Sequence, residues 1–276
     1  TSNGNADIFI AKYDSSGGYE WVITMGGSSI DEGKSIAVDG SNVYVTGYFN
    51  NTADFDPGSG TESFTSNGNA DIFIAKYNSS NGSLIWAKQI GGSDNDGGTS
   101  INLDGIGNVY ITGVFMETAD FDPGIGTSNL TSAGSEDVFV QKLDDSGNLI
   151  WVKQMGGAND DRGRSLATDS AGNIYVTGTF WGTCDFDPST VTNNLISVGE
   201  EDVFIQKLDT NGNLLWIKQM GGSSDDYGTS ITTDASGNIY TTGTFKGVCD
   251  FDPGAGIIIL NSSGYTDVFV QKLDAN

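Results

Sequence analysis

Several residue types that carry enzyme chemistry are absent or scarce in this sequence of 276 residues, which contains no histidine and only two cysteines. The absence of histidine excludes Ser–His and Cys–His nucleophile pairs, histidine-ligated zinc and histidine proton shuttles. No G-x-S-x-G nucleophile motif occurs, and no run of about 18 apolar residues could span a bilayer. These absences exclude many hydrolase classes and a helical membrane protein.

Basic residues are also few: 12 lysines and arginines stand against 36 acidic residues, for a formal net charge of −24. A chain of this charge cannot replace the counterions on a phosphate backbone, and anionic membrane surfaces repel it. We therefore expect no nucleic-acid partner and no membrane insertion. An acidic surface of this kind suits solubility, salty surroundings or the binding of divalent cations.

Glycine, by contrast, is abundant at 40 residues, and the apolar residues, 37% of the chain, are gathered in short runs. This composition predicts a folded, turn-rich protein. The sequence begins without methionine and shows no signal peptide, so we expect a mature or excised piece. We expect an extracellular location, although no targeting signal is present.

An internal repeat of 64 to 66 residues runs through the whole chain. It is marked by four tryptophans spaced by 65 residues, Trp21, Trp86, Trp151 and Trp216. The motif DVFVQKL or a close variant begins at Asp7, Asp71, Asp137, Asp202 and Asp267. These spacings divide a single domain, 1–276, into units at about 1–64, 65–130, 131–195 and 196–260, with a partial fifth at 261–276.

Each unit is predicted to contain four short strands, which in the third unit lie at Asp137–Leu143, Leu149–Met155, Arg164–Asp169 and Asn173–Phe180. Both faces of these strands are largely apolar, so both must be covered, and copies of the unit can supply that cover. The sequence therefore predicts an all-β propeller built from four-stranded antiparallel blades of about 65 residues. A straight stack of the same sheets is the alternative, but it would leave two end faces without capping units.

The strand count leaves the closure of the ring open. Four full units and one extra strand give 17 strands, whereas a closed ring of four blades needs 16. Either the chain overlaps its own start by one strand, or it is part of a larger propeller, which is the interpretation that we favour.

The segment DVFVQKLDDSGNLIWVKQMGG, followed by DDRGRSLATDSAGNIYVTG, resembles the SBBP family, the β-propeller repeat of secreted bacterial surface proteins. The resemblance extends over essentially the whole chain. It implies a propeller fold and an extracellular or cell-surface setting, and it carries over no catalytic residues. KLDDSGNLIW is also similar, more weakly, to the tryptophan-docking blades of quinoprotein dehydrogenases, which implies that the repeated tryptophans pack between blades. Arg162 and Arg164 are too few for the carboxylate clamp of a sialidase-type propeller.

Two sets of aspartates are candidates for calcium binding, because Ca²⁺ takes about six to eight oxygen ligands from flexible acidic turns. The first set belongs to the repeated DFDP motif and comprises Asp54, Asp56, Asp120, Asp122, Asp185, Asp187, Asp250 and Asp252. The second set belongs to a D-x-G turn that is followed by a serine, and comprises Asp31, Asp96, Asp161 and Asp226. The alternative is that these aspartates close turns by accepting backbone N–H bonds, with the phenylalanine of DFDP in the core.

Three further features have both a structural and a functional interpretation. Cys184 and Cys249 lie one repeat apart, where about 10 Å separates equivalent sheet positions, so we predict buried free thiols rather than a disulfide. The repeated lysines are predicted to pair with aspartates or strand-end carbonyls within a blade rather than to form a ligand-binding patch. Trp181 lies outside the repeated tryptophan column, in the segment that varies most between units; it is either packed locally or the ligand-facing residue.

These features predict a noncatalytic extracellular β-propeller that serves as a structural, adhesive or interaction module of a secreted or surface protein. The expected partners are other domains of a larger secreted chain and protein or glycan ligands, and the one cofactor considered is Ca²⁺. A lectin-like sugar-binding propeller is the first alternative. The second is a glycoside-processing enzyme, which would need paired carboxylates that break the repeat; we identify no such pair in the sequence.

Overall fold

The computed structural model describes residues 4–274, and these residues form antiparallel strands and turns without an α-helix. Within that range, accordingly, there is no helical segment with the length and apolar character needed to cross a membrane. The all-β prediction is confirmed, with glycine-containing turns between the strands.

The nineteen strands form three complete blades between two incomplete ones. The N-terminal half-blade contains β1 (Ile8–Tyr13) and β2 (Tyr19–Gly27). Blade 1 contains β3 (Asp31–Val38), β4 (Asn42–Asp54), β5 (Ser63–Asn78) and β6 (Leu84–Gly92). Blade 2 contains β7 (Gly97–Leu103), β8 (Val109–Asp120), β9 (Asn129–Leu143) and β10 (Leu149–Gly157). Blade 3 contains β11 (Arg162–Thr168), β12 (Ile174–Asp185), β13 (Asn194–Leu208) and β14 (Leu214–Gly222). The C-terminal partial blade contains β15 (Tyr227–Thr233), β16 (Ile239–Phe245), β17 (Val248–Asp250), β18 (Ile259–Asn261) and β19 (Asp267–Leu273).

Within each complete blade the four strands pair in chain order, for example β3 with β4, β4 with β5 and β5 with β6. The first strands of successive blades, β3, β7, β11 and β15, lie in contact with one another. The blades therefore converge on their first strands, as propeller blades do around a common axis.

The four strands of one sequence repeat do not form one blade. In the third repeat, β9 and β10 complete blade 2, whereas β11 and β12 begin blade 3. β10 pairs with β9 along most of its length, but with β12 only at Gly156 and Gly157. The prediction of four strand types per unit is confirmed, but the grouping of one unit's strands into one sheet was wrong. The period of the repeat determines the spacing between blades. It does not determine which strand begins a blade.

Each blade is apolar on both faces, and neighbouring blades cover each other. Val138 and Val140, on one face of β9, belong to the same buried cluster as Phe204 of blade 3. Phe139, on the other face of β9, belongs to a cluster with Ile72 of blade 1. All five side chains are completely buried. The hydrophobic core of this protein therefore lies between blades and not within any one of them.

The sheet stays open at both ends. β1 pairs only with β2 and β19 only with β16, and no pairing joins these two ends within residues 4–274. β17 and β18 correspond to the end of β4 and the start of β5 in blade 1, so nineteen strands less these two give the predicted 17. The described strands do not close into a ring.

A clasp joins each blade to the preceding one. Beyond a β-bulge, the end of the second strand and the start of the third form an arm, and this arm pairs with the fourth strand of the preceding blade. In the arm of blade 3, Cys184 lies opposite Gly157. A Cβ on Gly157 would lie 2.0 Å from the carbonyl oxygen of Thr183. The Gly-Gly pair that ends each fourth strand is therefore required for the close approach of the arm.

The buried carbonyl of the DFDP phenylalanine is satisfied in two different ways. In blade 2 the side-chain amide of Gln141 donates to the carbonyl oxygen of Phe121 at 2.7 Å. In blade 1 the position of Gln141 is taken by Ala75, and the hydroxyl of Tyr77 donates to the carbonyl oxygen of Phe55 at 3.0 Å. The same buried carbonyl can therefore be satisfied by glutamine at the first position with leucine at the second, or by alanine at the first with tyrosine at the second.

This exchange predicts a compensating pair of substitutions in blade 2. Gln141→Ala removes the donor to Phe121 and should lower the free energy of unfolding by about 1–3 kcal/mol. Adding Leu143→Tyr should recover much of that loss, because blade 1 uses this combination at Ala75 and Tyr77. Urea unfolding of the two single variants and the double variant would measure the coupling, and simple additivity of the two effects would contradict the exchange.

Candidate functional site

The blades present two rims, which we name by their local structure. The turns that join first to second and third to fourth strands, such as 104–108 and 144–148 in blade 2, lie at one end of the strands, the turn rim. The bulges, the clasp arms and the loops between blades lie at the opposite end, the bulge rim. Most repeated motifs have structural roles on one of these rims. The candidates for a binding role are therefore the positions at which the blades differ.

On the turn rim the repeated tryptophan bridges each blade to the next. Trp151 packs against Tyr110, with ring centroids 6.2 Å apart, and its indole N–H donates to the carbonyl oxygen of Thr210 in blade 3 at 3.3 Å. Trp86 donates in the same way to the carbonyl oxygen of Asp145 in blade 2 at 3.1 Å. The tryptophans therefore lie between blades, as the similarity to tryptophan-docking propellers implied.

The repeated lysines belong to the same contact. The ammonium group of Lys142 lies 5.0 Å from the ring centroid of Tyr110 and donates to the carbonyl oxygen of Thr210 at 3.4 Å. In blade 1, Lys76 forms an ion pair with Asp145 of blade 2 at 2.5 Å. The predicted pairing with aspartates and carbonyls is present, but the prediction that it stays within one blade was wrong, since it joins two blades.

The glycine of each third-to-fourth turn is explained by this contact. Gly212 has a φ of +77°, and a Cβ there would lie 3.2 Å from the ring of Trp151 and 2.8 Å from Cε of Lys153. The turn therefore needs glycine both for its left-handed backbone and for its approach to the preceding blade.

On the bulge rim each D-x-G aspartate is buried and accepts two backbone N–H bonds. Asp161 accepts from Gly157 at 2.6 Å and from Trp181 at 3.1 Å, and the other three aspartates make the equivalent bonds. The serine that follows has a separate role: Ser100 Oγ accepts the N–H of Leu166 at 3.2 Å, which links the first strands of blades 2 and 3. These groups hold the blades together.

A second buried carboxylate lies close to each D-x-G aspartate. Asp137, beside Asp161, accepts from Gln154 Nε2 at 2.7 Å and from the backbone N–H of Ala133 at 3.0 Å, both at Oδ2. Its Oδ1 is buried without a hydrogen-bond donor among the described residues. A Cβ on Gly156 would lie 2.5 Å from each of these oxygens, so the first glycine of the Gly-Gly pair makes room for the carboxylate.

Burial raises the pKa of these paired carboxyl groups. The pKa of Asp96 and of Asp161 rises to about 7, first because burial desolvates the charged form, and further because a second aspartate lies nearby. The same desolvation raises the pKa of Asp202 to about 6. Asp96 and Asp161 are therefore partly protonated near neutral pH.

The DFDP aspartates lie at the tips of the clasp arms and accept backbone N–H bonds. Asp120 Oδ1 accepts from Asp122 at 3.0 Å and from Ser128 at 2.8 Å, and Asp122 Oδ1 accepts from Gly124 at 2.8 Å. The same pattern holds the other three pairs, Asp54 and Asp56, Asp185 and Asp187, and Asp250 and Asp252. Phe121 between them is buried. Within residues 4–274 no group of three or more aspartate, glutamate, cysteine or histidine side chains is placed to hold a metal ion. Calcium binding at these loops stays one of the two interpretations of the motif.

Cys184 and Cys249 are free, buried thiols, in agreement with the prediction. They occupy the clasp position that Ala53 and Ala119 hold in blades 1 and 2. Burial raises the pKa of both thiols, that of Cys249 to about 12. Neither is poised as a nucleophile.

Trp181, the predicted ligand-facing residue, is 45% exposed on the bulge rim. It lies directly before the left-handed residue of its bulge, Gly182. Its counterparts Asn50, Met116 and Lys246 occupy the same place in the other blades. A column that differs in every blade is therefore displayed on one rim, and the binding role of Trp181 stays a prediction.

A cluster that breaks the repeat lies between blades 2 and 3. Arg162 occupies the position of Gly97 in the preceding blade, and its guanidinium pairs with Glu136 and, at 2.7 Å each, with Asp160 and Glu201. The three carboxylates do not themselves break the repeat, since Glu136 and Glu201 occupy one column of successive units and Asp160 recurs as Asp225. Arg162 is the residue that differs, and its cation neutralises them rather than leaving an acid–base pair. The signal in the sequence is an arginine in a column that otherwise holds glutamate, glycine and tyrosine.

The corresponding place between blades 1 and 2 is an open pocket of about 350 Å³. It is lined by Ile30, Tyr48, Asn50, Ala70, Asn95, Asp96, Gly97 and Val114. Ala70 and Gly97 stand where Glu136 and Arg162 fill the next interface, so the pocket exists because these two side chains are small or absent. Sequence reasoning missed this pocket because its two walls belong to different blades and its key feature is a side chain that is not there.

Comparison with known families agrees with this architecture. Residues 150–182 and 215–244 match SBBP, the β-propeller repeat. Two segments of the chain therefore resemble this repeat. Each matched segment runs from a fourth strand across to the first two strands of the next blade, and therefore contains the Gly-Gly pair and the D-x-G aspartate that join the blades.

Two curated proteins resemble the chain over long stretches. An uncharacterized WD repeat-containing protein of Acanthamoeba polyphaga mimivirus is 26% identical over 86% of this chain and 21% of its own length. The regulatory protein FlaEY of Caulobacter vibrioides is 27% identical over 61% of this chain and 18% of its own length. The chain thus spans about a fifth of the length of these relatives.

The buried aspartates predict that this protein is stabilised by mild acid. The folded state holds protons on Asp96 and Asp161 up to about pH 7, whereas the unfolded chain releases them near the ordinary pKa of 3.8. Because the folded state binds more protons, stability falls as pH rises between these values, and Tm should be at least about 3 °C higher near pH 5 than near pH 8. Calorimetry across this range checks the prediction. Asp161→Asn should flatten the dependence, and a Tm that rises towards pH 8 would contradict it.

The DFDP loops predict that stability does not depend on calcium. Each carboxylate pair is already held by backbone N–H donors, so a chelator should leave Tm unchanged. Melting curves with EDTA and with added CaCl₂ measure this, and MgCl₂ serves as the control for ionic strength. A fall in Tm with EDTA that calcium restores and magnesium does not would instead establish the calcium sites.

Proposed function

We propose that this SBBP propeller module is a noncatalytic recognition module, displayed outside the cell, whose bulge rim binds a glycan or protein ligand. The observation that carries the proposal is the distribution of differences between blades. Buried positions repeat from blade to blade, whereas the column of Asn50, Met116, Trp181 and Lys246 changes completely and lies on one rim. Variable side chains on a rigid repeated frame are the usual arrangement of a binding surface.

The pocket between blades 1 and 2 is the place on this rim that we propose for a ligand. The half-buried ring of Tyr48 and the side chains of Ile30 and Val114 give it an apolar wall, and Asn50 and Asn95 supply amide groups. An aromatic ring beside hydrogen-bonding amides suits the apolar face and the hydroxyl groups of a sugar. This supports the lectin-like form of the proposal.

The noncatalytic part of the proposal rests on the state of the acidic groups. The carboxylates Glu136, Asp160 and Glu201 are paired with Arg162, and the D-x-G aspartates are bonded to backbone N–H groups. A glycoside hydrolase needs one carboxylic acid and one carboxylate that both face the substrate. The rival function, glycan processing, would show itself as hydrolysis of a glycan that the protein retains.

The extracellular and adhesive parts of the proposal rest on the resemblance to secreted surface repeats and on the strongly acidic composition. The stretches that match this chain make up 21% and 18% of the lengths of the two curated relatives. Both relatives are therefore about five times as long as the stretch that they share with this chain. This supports the proposal that the propeller works beside other domains of a larger secreted chain.

A filled-pocket variant tests the proposed site. Ala70→Glu with Gly97→Arg copies the residues of the next interface, and a side chain fits at Gly97, where the nearest atoms to an added Cβ lie 3.9 Å away. On a glycan array the unmodified protein should retain a defined subset of sugars, and the filled variant should lose that retention at least about tenfold. Trp181→Lys, which installs the residue found at Lys246, tests the blade 3 position of the variable column separately. Ile125→Glu, at a fully exposed loop position, is the control and should bind normally.

The outcomes separate the alternatives. Loss of binding with Trp181→Lys alone would move the site to the rim of blade 3. Equal binding by the filled variant would rule out the pocket, and an absence of retained glycans together with an absence of captured peptides on a peptide array would contradict the recognition role. Appearance of reducing ends in the bound glycans would favour the enzyme.

A further inference from the structure

A groove lies beside the outer edge of each fourth strand, between that strand and the DFDP loop of the following blade. The groove beside β10 has a volume of about 350 Å³. Its counterparts beside β6 and β14 have volumes of about 420 Å³ and about 370 Å³. The grooves beside β6 and β10 are open although blades 1, 2 and 3 around them are complete. The groove beside β14 is therefore a regular feature of the repeat.

The groove beside β14 runs along a strand edge that is largely unpaired. On this edge β14 pairs with the clasp arm at its last two glycines, and no other strand within residues 4–274 pairs with the rest of the edge. The arm leaves the edge after Asp250, because Phe251 turns into the core. The outward backbone N–H and C=O groups of β14 can therefore pair with a further antiparallel strand, which would continue the line of the arm.

Two side chains distinguish the groove beside β14 from the other two grooves. Ile196 and Val198, on the arm of blade 3, line the groove and are 64% and 68% exposed. Their counterparts in the other complete blades are also exposed but are polar or small, namely Thr65 and Asn67 in blade 1, and Thr131 and Ala133 in blade 2. Two exposed aliphatic residues, two positions apart on one side of a strand, form a continuous apolar surface. We call this pair the apolar wall.

The apolar wall is held in place by bonds to polar groups of blade 3. Gln219 of β14 donates from Nε2 to the carbonyl oxygen of Ile196 at 2.9 Å. The backbone N–H of Val198 donates to the buried carboxylate of Asp202 at 2.9 Å. The rest of the groove matches the one beside β10, since the lysine and glutamine of the fourth strand and the aspartates and proline of DFDP line both. The chain therefore contains two matched grooves, of which one has the apolar wall.

We propose that the groove beside β14 binds an extended peptide segment of a partner protein, which pairs with the open edge of β14 as an additional strand. The pairing continues the contact that the clasp arm already makes with the last two residues of β14. Successive side chains of an extended segment point to opposite sides, so every second one lies on the side of the apolar wall. Aliphatic side chains fit best at those positions.

Charge adds a second requirement for the partner segment. Asp250 and Asp252 line the groove together with Lys218, and the whole chain has a net charge of −24. This field attracts a segment that carries lysine or arginine and repels an acidic one. The expected partner is therefore an extended, aliphatic and basic segment. Its groove is separate from the pocket between blades 1 and 2, so this proposal goes beyond the recognition role proposed above.

Selection from a displayed library of random nonapeptides, with the whole chain as the target, tests the proposal. The selected peptides should carry aliphatic residues at alternate positions and a net positive charge. Ile196→Thr with Val198→Ala copies blade 2 and should weaken their binding at least about tenfold, as measured by fluorescence polarisation. Ile106→Thr removes an aliphatic side chain that is 87% exposed on the turn rim, and as the matched control it should bind normally.

The matched groove of blade 2 allows the converse experiment. Thr131→Ile with Ala133→Val installs the apolar wall beside β10. The substitution removes the contact between the hydroxyls of Thr131 and Thr118, and blade 3 already lacks that contact, since Thr183 lies opposite Ile196. Titration calorimetry should therefore show two bound peptides per chain in place of one. A variant that still binds one peptide would contradict the role of the apolar wall.

Methylation of the peptide backbone tests the strand pairing. An antiparallel strand directs every second N–H group to its neighbour, so N-methylation should abolish binding at alternate positions and be tolerated between them. Tolerance at every position would overturn the proposed strand addition.

Two further results would overturn the proposal. The first is a selection in which no peptide depends on Ile196 and Val198, and the glycan-array test of the proposed function is unaffected by that result. The second is loss of peptide binding in Ala70→Glu with Gly97→Arg, which would assign the peptides to the pocket between blades 1 and 2.

Discussion

The structure depends on one constraint: no blade has an interior of its own. Both faces of each four-stranded sheet are apolar, and a lone sheet of this kind would expose one or both of them to water. Val138 and Phe139, adjacent in the chain, point to opposite faces of β9 and are buried against two different blades. The core is therefore shared between neighbours, and repetition of the sequence is the means by which each blade is provided with a matching cover.

Much of the polar chemistry of the repeat serves the same contact. Tryptophan and lysine reach the turn of the following blade, the clasp arm pairs with the Gly-Gly pair of the preceding one, and the D-x-G aspartate bonds to both the Gly-Gly pair and the bulge. The buried carboxylate pairs that result have raised pKa values, so an acidic protein contains acids that stay partly neutral. The D-x-G aspartates therefore have a structural role in the contact between blades.

The sequence was sufficient for the fold class, the strand types, the burial of both faces and the free thiols, because each follows from periodicity and from spacing between copies. The sequence did not show which strand begins a blade. The chain passes from one blade to the next after Gly157, and nothing in the sequence at that point indicates the change. The candidate site was the least predictable part. Its pocket depends on Gly97 and Ala70 from different blades, and the fate of Glu136 depends on Arg162, which approaches from the next blade.

The proposed recognition role follows from this arrangement. Contacts between blades fix most columns of the repeat, and the few columns that make no such contact can vary on the rim.

The central claim is that neighbouring blades form the core. It is tested most directly by making the same substitution in two copies of one heptapeptide. Val140 is buried between blades and Val270 is 77% exposed. In urea-unfolding experiments at low protein concentration, Val140→Ala should lower the free energy of unfolding by about 1–3 kcal/mol. Val270→Ala should lower it by less than about 0.5 kcal/mol. Equal losses at the two positions would contradict the claim that neighbouring blades form the core.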